Sequence, residues 1–267
     1  MTYVVTILGC GSSGGVPRVA DGWGACDPTN PKNRRRRCSI LVERVGANGR
    51  TIVLVDASPD LREQLIDENV RHLDGVLITH EHADHVHGID DLRPLAIHMR
   101  RRIDVWMDDK TSRSLNERFG YCFQSPDGSD YPPILSEHRM TAGEYVSVEG
   151  AGGPVTALPF EMEHGRGSAL GLRFGPVAYL SDVSRLPEKR YGDLEDLDVL
   201  IIDALRRRPH PTHFNLDDAL KLIAELEPTR AVLTNMHNDL DYEALTAELP
   251  PHIAPAYDGL KLELNSA

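Results

Sequence analysis

The sequence predicts an α/β fold in which two mixed β-sheets pack face to face with helices outside. Three observations predict it. Short apolar runs rich in valine and isoleucine recur in both halves of the chain. Amphipathic helical stretches alternate with them. No Pro-, Gly- or charge-rich stretch is long enough to serve as a linker, so residues 1–267 are expected to form a single domain.

In chain order, Val4–Leu8, Ile40–Val42 and Thr51–Val55 read as strands, bounded by Gly, Asn and Asp. Ser58 and Pro59 open a helix, Ser58 as N-cap and Pro59 as its first residue, with Leu61, Leu65 and Ile66 on one face. Val76–Ile78 is a strand that stops at Thr79-His80, and Leu92–Met99 is helical. In the second half, Val155–Phe160, Ala169–Phe174, Val177–Leu180, Val199–Ile202, Ala231–Leu233 and Leu260–Leu264 read as strands. Gly175-Pro176 is a turn. Leu216–Leu226 and Tyr242–Leu249 are helices, the first with apolar residues at 216, 219, 220, 222, 223 and 226. Trp23 and Trp106 are expected in the core. The segments 127–133 and 150–154 read as loops.

Composition narrows the function. Acidic residues number 41 and basic ones 29, a formal charge of −12. Such a surface is ill suited to coating nucleic acid, where affinity comes from neutralising phosphates. No apolar run approaches the roughly 20 residues that span a bilayer. The N-terminal apolar stretch lacks a basic n-region and breaks at Gly9, so it reads as a strand. The four cysteines, Cys10, Cys26, Cys38 and Cys122, form no CxxC pair. A reduced, cytoplasmic protein is the expectation.

The strongest chemical signal is Thr79-His80-Glu81-His82-Ala83-Asp84-His85, which directly follows an apolar strand. A strand end holds such residues rigidly, and the turn after it lets several converge. Imidazoles suit zinc and iron, and carboxylates suit harder ions, so a mixed set suits a pair of metals.

His80-x-His82-x-Asp84-His85 resembles the signature of the metallo-β-lactamase-fold hydrolases. The resemblance extends along most of the chain: Val53-Leu54-Val55-Asp56, His164 before Gly165, Tyr179-Leu180-Ser181-Asp182 and Leu233-Thr234-Asn235-Met236-His237 each match a segment of that family. It implies a four-layer αββα sandwich. It also implies two divalent ions (zinc, manganese or iron(II)), one held by His80, His82 and His164, the other by Asp84, His85 and His237, with Asp182 bridging. Asp56 would accept the second N–H of a ligand imidazole. The metals would lower the pKa of a shared water, giving a hydroxide nucleophile.

Leu8-Gly9-Cys10-Gly11-Ser12-Ser13-Gly14-Gly15-Val16-Pro17, His85–Arg93 and His213-Phe214-Asn215-Leu216-Asp217-Asp218-Ala219 resemble the phosphodiesterase branch, which holds tRNase Z and the PhnP-type enzymes. The resemblance gives His213 the role of proton donor or phosphate ligand, so that His213 and Asp84 are the expected catalytic residues. Ser12, Ser13, Arg207 and Arg208 are the expected substrate contacts, since guanidinium forks match phosphate. PhnP-type enzymes carry a cysteine cluster after the first turn. This stretch holds only Cys26, with Cys38 twelve residues on, and position 238 is Asn, so no third, structural zinc is expected.

The leading expectation is a dinuclear phosphodiesterase acting on a small phosphodiester or nucleotide, such as a nucleoside or phosphoribosyl cyclic phosphate. No membrane and no extended nucleic acid are expected as partners, and the resemblance suggests a homodimer. Three alternatives stay open: a tRNA 3′-end endonuclease, a thioester or lactam hydrolase on the same fold, and a non-catalytic, metal-stabilised module that binds RNA or a partner through the arginine clusters.

Overall fold

The computed structural model describes residues 2–265. Its strands are β1 (Thr2–Gly9), β2 (Ser39–Gly46), β3 (Gly49–Val55), β4 (Gly75–Leu77), β5 (Ile103–Met107), β6 (Leu135–Arg139), β7 (Val146–Val148), β8 (Val155–His164), β9 (Gly167–Phe174), β10 (Val177–Leu180), β11 (Val199–Asp203), β12 (Arg230–Thr234), β13 (Ile253–Pro255) and β14 (Lys261–Asn265). The α-helices are α1 (Leu61–Asp67), α2 (Ala83–Val86), α3 (Arg93–Met99), α4 (Asp109–Phe119), α5 (Leu216–Leu226) and α6 (Tyr242–Glu248). The strands form two seven-stranded mixed sheets, ordered β14-β1-β2-β3-β4-β5-β6 and β13-β12-β11-β10-β9-β8-β7, with the helices outside, as expected. The chain divides into two compact units, residues 1–6, 39–156 and 261–267, and residues 7–38 and 157–260. Among the described residues, no helix is long and apolar enough to cross a membrane.

In the first unit, β2 and β3 pair antiparallel, and β3, β4, β5 and β6 follow in parallel. Val53, Leu54, Val55, Val76 and Leu77 are fully buried. Burying each such side chain stabilises the fold by roughly 1.5–3 kcal/mol. Parallel neighbours end on the same edge, and the register aligns Val55 with Leu77. The residues that follow each strand are therefore brought side by side.

Four local expectations change. Asp60, not Ser58, is the N-cap of α1, because Ser58 Oγ already donates to Gln64 Oε1 (2.9 Å) and accepts from Asp60 N–H (3.2 Å). Ile66 is 56% exposed rather than buried with Leu61 and Leu65. Trp23 and Trp106 are half-buried, and Trp106 stacks on His138 with centroids 4.8 Å apart, so neither lies in the core. Between residues 100 and 150 the structure adds β5, α4, β6 and β7, which the sequence pattern did not show.

A tight approach fixes the loop after the metal motif. Gly88 N–H donates to Ala57 O (2.9 Å) and Ala57 N–H to His85 O (2.7 Å). A Cβ on Gly88 would lie 1.9 Å from the main-chain oxygen of Ser58. Backbone cannot swing aside as a side chain can. Gly88→Ala is expected to destabilise the protein by about 1–3 kcal/mol and to lower its metal content. Chemical denaturation and elemental analysis check both, and wild-type values would show that this approach is dispensable.

In the second unit, β10, β11, β12 and β13 run parallel, and β8 and β9 add antiparallel strands. β10 and β11 are buried at every position, which is why they read as unbroken apolar runs. Helix α5 matches its sequence-predicted bounds. Its cap is a reciprocal pair: Asn215 Oδ1 accepts from Asp218 N–H (2.8 Å), and Asp218 Oδ2 accepts from Asn215 N–H (3.2 Å).

Asp258 shows burial outweighing an ion pair. Burial lifts its carboxyl to about 6, although Arg36 Nε lies 3.1 Å away and Arg36 N–H donates to it at 2.8 Å. A carboxyl raised on folding binds its proton more tightly in the native state. Its contribution to stability is full below the unfolded value near 4 and is lost as pH rises through about 6. Asp258→Asn should therefore flatten the fall in stability between pH 4 and 6, by at most about 1.4 kcal/mol per pH unit. Denaturation curves across that range check it, and an unchanged slope would contradict it.

Candidate metal centre

In the first unit the candidate ligands lie past the ends of β3 and β4. Asp56 is fully buried, with φ +64°. It accepts Thr79 N–H at 2.8 Å and Thr79 Oγ–H at 3.0 and 2.9 Å, and its Oδ2 lies 2.7 Å from His85 Nδ1. Burial raises its pKa, against the pull of His85. The bond from Nδ1 to a carboxylate directs Nε2 of His85 toward Asp84, whose Oδ2 is 3.5 Å away. His80 is buried beside them, its Nδ1 3.0 Å from Thr79 Oγ1. Its ring centroid is 4.3 Å from that of His85 and 4.5 Å from that of His82, which is exposed at the start of α2. Thus His80, His82, Asp84 and His85 gather at one place, with Asp56 bonded to His85 and Thr79 behind them.

In the second unit the parallel strands β10, β11 and β12 bring their C-terminal ends together, with Ile202 aligned to Leu180 and to Leu233. Asp182 follows β10, Asp203 ends β11 and Asn235 follows β12. His164 ends β8, and its Nδ1–H donates to Thr212 O at 2.7 Å. That bond requires the proton on Nδ1, because a carbonyl only accepts. Its Nε2 then faces Asp182 Oδ2 at 3.6 Å. A nitrogen lone pair set against a carboxylate oxygen needs a cation, proton or metal, to make it favourable. The donor chemistry of both clusters, imidazole nitrogens beside carboxylates with their Nδ1 atoms already engaged, fits a divalent metal and suggests that the chain binds one.

His213 is joined to this group. Its Nδ1 lies 2.8 Å from Asp203 Oδ2, and its ring centroid is 4.7 Å from that of His164. A hydrogen bond joins Asp203 and His213. Burial lifts the Asp203 carboxyl to about 7, opposed by His213 and reinforced by Asp182. Asn235 Nδ2 donates to Ser181 O (3.1 Å) and Asp182 Oδ1 (3.4 Å) and lies 3.1 Å from His213 Nδ1. It holds this place with φ +58°, a conformation that asparagine tolerates better than most residues.

Asp203 and Asn235 were not among the sequence candidates. The signal for Asp203 was present: Val199–Ile202 ends on an Asp as Val53–Val55 does. Asn235 left no signal of its own beyond its place before His237.

Other candidates sit differently. His237 is half-buried, with its N–H donating to Leu205 O at 2.8 Å. Burial and the charge of Arg18 lower its pKa, and Asp239 opposes them. Ser12 is buried, and its Oγ accepts from Arg18 Nη1 at 3.4 Å, whereas Ser13 is exposed. Arg207 is engaged by Glu248 at 2.6 Å, and Arg208 is exposed. Arg35 is not solvated at all: its fork donates to Leu240 O (2.7 Å) and His237 O (3.2 Å).

Residues 51–236 match the family model described as a beta-lactamase superfamily domain. The chain is 36% identical to a structure described as a new diphosphatase from the PhnP family, with a TM-score of 0.88, covering 99% of this chain and 98% of that one. It is 34% identical over 260 residues to an octanoyltransferase of Porphyromonas gingivalis, covering 96% of this chain and 50% of that protein. The chain thus spans about half the length of that curated relative, whose name describes the whole. It is also 24% identical to the coenzyme PQQ synthesis protein B of Xanthomonas campestris pv. campestris, covering 97% of this chain and 99% of that protein. Candidate ligand clusters past strand ends and a family match across most of the chain agree: the protein belongs to the beta-lactamase superfamily and has the metallo-β-lactamase fold.

Proposed function

We propose that the protein is a dinuclear metal-dependent phosphodiesterase acting on a small phosphodiester, such as a nucleoside or phosphoribosyl cyclic phosphate. The observation that carries this reading is the Asp203–His213 pair beside His164 and Asp182. A site that only stores metal has no use for a further imidazole held in place by a buried carboxylate. A hydrolase that must protonate a leaving alkoxide does.

His80, His82 and His164 would hold one ion and Asp84, His85 and His237 the other, with Asp182 shared. Bound divalent ions would supply an ionised water and neutralise a non-bridging phosphate oxygen. His213 delivers the proton to the leaving oxygen from Nε2, while Asp203 fixes the ring through Nδ1 and stabilises its charged form. Asn235 holds Asp182 in place through its amide N–H₂. Asp56 and Thr212 keep the protons of His85 and His164 on Nδ1. The protein would work in the cytoplasm, on substrates too small to need a basic docking surface.

A second reading is favoured by one relative, described as a diphosphatase: cleavage at phosphorus in a diphosphate rather than in a simple diester. Metal-loaded protein is expected to hydrolyse bis(p-nitrophenyl) phosphate or a 2′,3′-cyclic nucleotide. No turnover of any phosphodiester or diphosphate ester with zinc, manganese or iron(II) would overturn both readings.

A further inference from the structure

We propose that Arg35 is a positioning residue for His237: its buried fork clasps both ends of the turn at residues 237–240 and so sets the affinity of the ion assigned to His237. This rests on the dinuclear reading above.

Arg35 is 2% exposed and is among the largest of the fully buried side chains. Its Nη2 donates to Leu240 O (2.7 Å), and its Nη1 donates to His237 O (3.2 Å) and, at longer range, to Cys26 Sγ (3.9 Å). Burial pushes the Cys26 thiol up against the pull of Arg35, so this sulfur is a neutral partner too. The two acids of the same segment are bonded elsewhere. Asp239 accepts from Arg207 N–H (3.1 Å), and Asp241 accepts from Asn33 Nδ2 (2.6 Å) and Ala244 N–H (3.0 Å).

The two carbonyls that Arg35 holds are the first and last of one turn, which Leu240 N–H closes onto His237 O at 3.3 Å. His237 N–H is engaged as well, by Leu205 O at 2.8 Å, and Met236 N–H before it donates to Cys10 O at 2.8 Å. With its own N–H and C=O both held, the His237 ring has only its two side-chain torsions left to choose. Arg35 is equally fixed. Its N–H donates to Val16 O (2.9 Å) and its O accepts from Val16 N–H (2.8 Å). A Cβ on Gly11 would lie 2.9 Å from Arg35 Cβ, so the stem of the arginine is pressed against that glycine. Gly11 also bridges Met236, which ties the clasp and the turn to the same stretch of backbone.

Desolvating a guanidinium is costly, and neutral partners return only part of the cost. A chain that needed only to fill this space would hold an apolar side chain there. What a planar fork adds is two charge-assisted bonds in fixed directions, here to two carbonyls three residues apart. The segment so held is the one that begins at His237. A metal ligand whose backbone is fixed before the ion arrives loses less freedom on binding it, and the groups that orient ligands govern affinity for that reason.

The test is calorimetric titration of the metal-stripped full chain with zinc. The wild type should take up two ions. Arg35→Met should weaken one binding event about ten- to a hundredfold and leave the other unchanged. His237→Ala should weaken the same event. Adding Arg35→Met to His237→Ala should weaken it no further, because Arg35 then has no ligand to place. Arg35→Lys keeps a cation that can reach one carbonyl, so its affinity should fall between those of the wild type and Arg35→Met. Melting curves of the stripped proteins show which variants are folded, and Arg35→Lys carries the test where Arg35→Met is not. Additive losses in the double variant, an equal loss at both ions, or wild-type zinc binding in the folded Arg35 variants would overturn the proposal. Two-ion uptake with the expected coupling but without turnover of any phosphodiester would count against the hydrolytic reading and leave the role of Arg35 standing. Uptake of a single ion by the wild type would overturn both.

Discussion

His213→Ala should lower turnover of a small phosphodiester by about a hundred- to ten-thousandfold while the metal content of the protein stays at its wild-type value. The ring is partly exposed and is held by Asp203 at 2.8 Å and approached by Asn235 at 3.1 Å. Its removal leaves every candidate metal ligand in place. A general acid matters most for a poor leaving group. The loss should therefore be largest for an alkoxide such as a ribose hydroxyl and smallest for p-nitrophenolate, which departs without a proton. Rates on both substrates, measured beside elemental analysis, check this. A parallel loss of metal, or an equal loss on both leaving groups, would remove His213 from the proton-donor role.

The second large effect is at Asp56. Asp56→Ala should destabilise the protein by about 3–5 kcal/mol, because the Thr79 main-chain N–H, the Thr79 hydroxyl and His85 Nδ1 all lose their acceptor in a fully buried place. Alanine also tolerates φ +64° poorly. Asp56→Asn separates stability from metal chemistry. Asparagine adopts that backbone readily and can still accept from Thr79. Its amide N–H₂ would face His85 Nδ1, so the ring proton moves to Nε2 and the lone pair turns away from Asp84. The expected result is near-native folding with metal affinity lowered about ten- to a hundredfold. Denaturation and metal titration of the two variants check the pair. Wild-type affinity in the Asn variant would show that Asp56 does not set the tautomer.

Much of the site could be read from the sequence because its residues sit at strand ends. Val53–Val55 before Asp56, Val76–Ile78 before His80 and Tyr179-Leu180 before Asp182 are apolar runs that stop where the chemistry starts. Helix α5 was equally legible, since its apolar stripe and its Asn215–Asp218 cap agree. The region from 100 to 150 was not. Strand β6, Leu135-Ser-Glu-His-Arg, has one buried apolar residue and is held as a strand by pairing with β5. Helix α4 buries mainly Thr111, Ser112 and Leu115, a stripe too polar to stand out. Arg35 lies in the run Arg34–Arg37, and such a run of like charge ordinarily marks a solvated face, yet Arg35 is buried against carbonyl oxygens. Local charge patterning cannot reveal an acceptor some 200 residues away in the chain. Asn235 escaped notice for a related reason: its role depends on Ser181, Asp182 and His213, which only the parallel register of β10, β11 and β12 brings to it.

The most direct measurement is phosphodiester turnover by chelator-stripped protein as zinc or manganese is added back in known equivalents. The account predicts no activity without metal, a rise that saturates at two ions per chain, and loss of that rise in Asp182→Ala. Activity that survives complete removal of metal, or a stripped protein that takes up no divalent ion, would contradict it.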